Sequence, residues 1–242
     1  MLVGVNSILL FCAAFFTGIA ALFVPKVTQR YRLMLVFAGA YLFSVTLIHL
    51  LPDIFSHAEK AEVLGIYVLL GFFLQQGLEF FSHGVEHGHV HVHDKQHAAA
   101  GGTVFLALSA HSVIEGCMLA YPVAAHEQRP SLLLGILLHK APEAFALMSV
   151  LLCEAKKARA LILLGLFSSA TPAGFLLTRY LALHEIFSPH IFTIMVAVAC
   201  GGFLHISTTI VFESSVEHRF NAKKTGVAVA GALTAIAVEL FL

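Results

Sequence analysis

Charge is scarce in this 242-residue chain and tryptophan is absent: Asp, Glu, Lys and Arg make up 12% of it, against 59% hydrophobic residues and a mean hydropathy of +0.88. That polar surface is too small to cover a water-soluble body of this size, so lipid must be the solvent. The 14 basic and 14 acidic residues cancel, leaving no electrostatic footprint for a nucleic-acid partner. Cysteine is sparse as well. Cys12, Cys117, Cys153 and Cys200 form no CxxC pair, and each lies in an apolar run where a thiol acts as a small hydrophobe, so all are expected to be unpaired. No G-x-x-x-x-G-K-[ST] phosphate loop occurs, which excludes an ATP-driven pump, and no H-E-x-x-H motif of a zinc protease is present. No stretch is polar and long enough for the soluble output domain that a metal-sensing receptor needs. What is abundant is histidine, with 15 residues against five methionines, and histidine is the commonest metal ligand in proteins.

A bilayer core takes about 20 apolar residues in helical form. Eight such runs occur: Val3 to Val24, Leu33 to Leu51, Val63 to Phe81, Thr103 to Val123, Ser131 to Cys153, Ala160 to Leu181, His190 to Phe212 and Thr225 to Leu242. The expected fold is an all-α bundle of eight transmembrane helices, a single transmembrane domain over residues 1–242 with short polar connections. The first run has no basic segment before it, and its first positive charge, Lys26, follows the apolar stretch; it reads as a span rather than a signal peptide. Connections one, three, five and seven hold Lys26, Arg30, Arg32, Lys95, Lys156, Lys157, Arg159, Arg219, Lys223 and Lys224, whereas the others, with their span ends, hold only Lys60, Arg129 and Arg179. The positive-inside rule then places the odd connections in the cytoplasm and both termini outside. An integral multi-pass protein of a bacterial-type inner membrane is the expected location, and a homodimer an open expectation.

Ionisable side chains at bilayer depth cost at least about 2.5 kcal/mol each, so they seldom persist without a partner or a task. Here they concentrate on spans four and five, as HSVIEG (His111 to Gly116) and HKAPEA (His139 to Ala144). Helix positions i and i+4 share a face, so His111 with Glu115, and His139 with Glu143, each make a two-ligand pincer. Two imidazoles and two carboxylates suit tetrahedral zinc while tolerating iron(II), manganese or cadmium, and the carboxylates offset the charge of a divalent ion. Pro142 lies mid-span and frees the carbonyl of Leu138 beside His139; a kink is expected there. Interrupted segments at corresponding places in two halves of a chain are a mark of transporter binding sites. The outlying Glu79, His49, His205 and Glu239 are as well explained by hydrogen bonds between helices as by metal.

At these residues the chain resembles the ZIP (Zrt/Irt-like) family of metal transporters. His111 to Gly116 fits the family's span-four signature H-[SN]-x-x-[ED]-G, and His139, Lys140, Ala141, Pro142 and Glu143 fit its span-five pattern of H-[EK]-x-P followed by a ligand. The HLLPD ending span two, His49 to Asp53, and the histidine-bearing loop after span three agree with it. The resemblance implies that His111, Glu115, His139 and Glu143 line a transport site through which zinc moves to the cytoplasm by alternating access. It implies no cofactor, the metal being cargo. Family members often hold a second metal on residues whose positions are occupied here by Ser112, by Lys140 in place of an acid, and by Thr171 before Pro172. A lysine ammonium there would repel a second cation, so one transported metal is expected. The alternative function is an intramembrane zinc-dependent hydrolase, but four protein ligands leave no open position for a catalytic water.

Within residues 82–102, expected to be a cytoplasmic loop, runs SHGVEHGHVHVHDKQH. In an extended chain His87, His89, His91 and His93 project to one side, a pattern suited to weak metal capture; His83 and His97 flank them. A linker with no required role is an equally good account of the same residues.

Overall fold

The computed structural model describes residues 2–23, 29–56, 58, 60–82, 100–120, 130–186, 188–213 and 221–241. Among them there is no strand, and eight helices are long and apolar enough to cross a membrane. They are α1 (Leu2–Ala20), α2 (Gln29–Ser56), α3 (Ala61–Ser82), α4 (Ala100–Leu119), α5 (Pro130–Glu154), α6 (Lys157–Leu183), α7 (Pro189–Glu213) and α8 (Ala222–Phe241). The chain is thus an all-α polytopic protein, as its apolar runs predict. Several helices reach past those runs. Arg30 and Arg32 lie inside α2, and only Ala155 and Lys156 separate α5 from α6. The reason is that basic side chains can extend their charged ends to the headgroups while the backbone stays helical. At the other extreme, α1 ends at Ala20 and continues as a turn to Phe23, short of the expected Val24.

Two helices carry proline consequences. In α2 the turn over Thr46–Leu50 widens to a π-helix just before Pro52, whose ring would meet the carbonyl of Ile48 in an ordinary α-helix. The α5 helix passes through Pro142 without interruption, and the Pro142 carbonyl accepts a hydrogen bond from the buried Tyr31 hydroxyl at 2.9 Å.

The helices pack in two groups. One is α1, α4, α5 and α6; the other is α2, α3, α7 and α8; the principal contacts between the groups are α2 with α5 and α3 with α4. Hydrophobic force is weak between helices in lipid, so close backbone approach through small residues must supply the attraction. Glycines provide it. A Cβ on Gly71 would lie 1.8 Å from the Val198 carbonyl oxygen, and one on Gly201 would lie 1.9 Å from that of Val68, which joins α3 and α7. In the same way Gly116 meets the backbone of Thr171, and Gly174 that of Val113, joining α4 and α6. Outward-facing Phe16, Phe73, Phe80, Ile162, Leu166 and Leu240 cover the lipid surface.

These contacts give a paired prediction. Gly201→Ala forces the α3 and α7 backbones apart and is expected to cost about 1–3 kcal/mol, as overpacking does. Gly77→Ala meets open space and is expected to be neutral or slightly stabilising, because alanine is the better helix former. Thermal unfolding of the two purified variants in detergent checks both.

Candidate metal centre

The face shared by His111, Ser112 and Glu115 on α4 meets the face of α5 bearing His139, Lys140 and Glu143, and all six side chains are buried. One ligand atom from each of His111, Glu115, His139 and Glu143 lies within 4.8 Å of the others. Among the described residues this is the group of three or more His, Cys, Asp and Glu able to hold a metal ion. The two imidazole rings stand edge to face, 5.9 Å apart and 89° between planes.

The distances suit a small ion. Zinc bonds of about 2.0–2.1 Å in tetrahedral geometry put neighbouring ligand atoms about 3.3 Å apart. His111 Nε2 and Glu115 Oε1 are 3.1 Å apart, so that edge of the tetrahedron is already formed. The remaining candidate ligand atoms, all within 4.8 Å of one another, need to close in by at most about 1.5 Å to reach that spacing.

Lys140 lies among the same groups. Its ammonium is paired with Glu143 Oε2 and with Glu115 Oε2, and donates to the Ser112 hydroxyl at 2.8 Å. The Phe167 ring of α6 covers it, with the centroid 5.2 Å away, a cation–π contact. Ser112 in turn donates to the Leu108 carbonyl at 2.7 Å. The ammonium therefore holds one oxygen of each carboxylate. The other oxygen of Glu115 faces His111, and Glu143 Oε1 is buried with no hydrogen-bond partner among the described residues. Thr171 is buried on α6, and its hydroxyl likewise lacks a hydrogen-bond partner among the described residues.

The outlying ionisable residues do not join this cluster. His49 in the π turn pairs with Glu239 of α8, and His205 of α7 lies 3.4 Å from Glu79 of α3 and edge-on to Phe72. Each pair crosses between helices. Residues 83–99, with His83, His87, His89, His91, His93 and His97, lie outside the described residues. None of the four cysteines is joined in a disulfide, as expected.

A further residue touches the site without having been singled out in the sequence. Gln75 of α3, 3% exposed, places its side-chain oxygen 3.1 Å from His111 Nδ1. A narrow crevice lies beside it between α3, α4 and α7, lined by Gln75, His111, Ile114, Glu115, Gly202 and Phe203 among others. The signal was an amide in the middle of an apolar run, and of the neighbours Gln75 and Gln76 only the first is buried.

Eight helices able to span a membrane define an integral, multi-pass protein, and four convergent buried nitrogen and oxygen groups between α4 and α5 could hold a metal ion. Residues 84–239 match the family model described as ZIP Zinc transporter, and the chain belongs to that family. Its class is therefore that of divalent metal transporters. A search of curated proteins finds no match to the chain.

Proposed function

We propose that this protein carries zinc toward the cytoplasm by alternating access, on a single-ion site made by His111, Glu115, His139 and Glu143. The observation that carries the reading is the convergence of four buried ligand atoms within 4.8 Å from α4 and α5. The donor set also admits iron(II), manganese and cadmium. All 242 residues act as one transporter domain, with both termini outside and the odd connections in the cytoplasm, in a bacterial-type inner membrane. The chain works as a homodimer or alone. The division of the helices into two groups, with the four ligands on one and Gln75 on the other, supports a motion of one group against the other.

Ser112, Lys140 and Thr171 take the positions of a second metal site. Two carboxylates, one ammonium and one divalent ion sum to a charge of +1, and a second ion would raise this to +3 in a fully buried setting, which the desolvation cost disfavours. The hydrolase reading lacks an open coordination position and has no observation in its favour.

The test is zinc entry into metal-free proteoliposomes loaded with a zinc-sensitive dye, under an inward zinc gradient. Saturable uptake above that of protein-free vesicles is expected. No uptake by a folded, zinc-binding protein would overturn simple facilitated transport. The histidine segment is read as a receiving site for departing ions; deleting residues 84–98 is expected to change the maximal rate severalfold while leaving saturable uptake in place, measured in the same vesicles.

A further inference from the structure

We infer that Gln75 is a positioning residue for the transported ion: it fixes the imidazole of His111 so that Nε2 presents its lone pair to the metal. The inference rests on the reading of His111 as a ligand. A neutral imidazole carries one N–H, and which nitrogen bears it is decided by the hydrogen bond the other side of the ring makes. The Gln75 oxygen lies 3.1 Å from Nδ1 and accepts the Nδ1–H. The lone pair is then left on Nε2, the atom 3.1 Å from Glu115 Oε1 at the formed edge of the ligand set. With a metal ion on Nε2 only Nδ1 can keep the ring proton, and because Gln75 and His111 are each 3% exposed it is the Gln75 oxygen and not bulk water that accepts from it.

Gln75 also differs from the ligands in where it stands. His111 rides on α4 of one helix group, whereas Gln75 belongs to α3 of the other. The hydrogen bond therefore orients a ligand from across the boundary between the groups. Its removal should weaken ion capture in the conformation described here more than it slows the turnover of a saturated carrier.

The experiment compares the full-length native chain with Gln75→Met, of similar size but no acceptor, and Gln75→Glu, which keeps an acceptor for Nδ1–H. Zinc uptake in proteoliposomes and cobalt(II) titration in detergent are both recorded. For Gln75→Met the half-saturating zinc concentration is expected to rise about 10–100-fold, the range for a partner that orients a metal-bound histidine, with the maximal rate within about twofold. The visible absorption of tetrahedral cobalt should need correspondingly more cobalt to appear. For Gln75→Glu both readouts should stay within about threefold of native. Should Gln75→Met fail to fold, Gln75→Ala takes its place with the same expectation. Native-like half-saturation and cobalt titration in the acceptor-free variant would overturn the inference. Equal impairment of the acceptor-free and Glu variants would also overturn it, by showing that only packing matters. Absence of uptake by the native chain, with cobalt bound normally, would instead count against the transport reading and leave the cobalt comparison to decide the role of Gln75.

Discussion

Glu143→Ala is expected to abolish saturable zinc uptake and to weaken zinc binding by at least about 100-fold, more than the 10–100-fold typical of residues that only orient a ligand. The carboxylate of Glu143 has two tasks in the structure. One oxygen is held by Lys140 and the other is buried in the ligand set. Truncation removes a ligand and half of the negative charge that makes a buried divalent ion tolerable, while Lys140 stays behind with one carboxylate instead of two. Isothermal titration with zinc on the purified variant, beside uptake in vesicles, separates loss of binding from loss of movement. A variant that binds zinc as the native chain does, yet fails to carry it, would assign Glu143 to the motion and not to the ion.

The second large effect belongs to Lys140. Replacing it by methionine leaves Glu115 and Glu143 facing each other without their cation in a site closed to water. Breaking a buried ion pair by removing one partner costs about 3–5 kcal/mol, and here two carboxylates lose the same partner. Lys140→Met is therefore expected to lower the midpoint of thermal unfolding sharply in metal-free buffer. Zinc should restore more of that stability than it adds to the native chain, because the ion then supplies positive charge that the lysine no longer provides. Lys140→Asp carries the same logic further and should raise the bound metal from one ion per chain to two. Unfolding followed with and without zinc, and metal content after gel filtration, check these outcomes. One ion per chain in Lys140→Asp would contradict the proposal that Lys140 limits the site to a single ion.

The helices and the convergence of the four candidate ligands were legible in the sequence for a local reason. An apolar run of bilayer length and a pair of ligands four residues apart are both properties of one helix, so the eight spans and the pincers His111–Glu115 and His139–Glu143 follow from chain order alone. Contacts between helices have no such local signature. Gln75 is one of two adjacent amides in an apolar run, and only the packing of α3 beside α4 brings it to His111. Nothing in the spacing of residues 49 and 239, or of 79 and 205, announces that each histidine finds the glutamate of another helix. The position of Lys140 was readable as a charge in the wrong place for a second metal, but its shared hold on both carboxylates and on Ser112 depends on how two helix faces rotate toward one another. Glycine 116 is similar: the sequence shows it closing the HSVIEG motif, and only the packing shows that it lets α4 lie against the backbone of Thr171. The π turn of α2 also escaped, since Pro52 announces a disturbance without saying what form it takes.

X-ray absorption at the zinc edge, on the full-length chain loaded with one equivalent of zinc, tests the central claim most directly. The account predicts a four-coordinate ion with about two imidazole nitrogens and two carboxylate oxygens at about 2.0–2.2 Å and no sulfur. A zinc–sulfur distance near 2.3 Å, or a first shell without imidazole, would mean that the ion sits elsewhere than on His111, Glu115, His139 and Glu143.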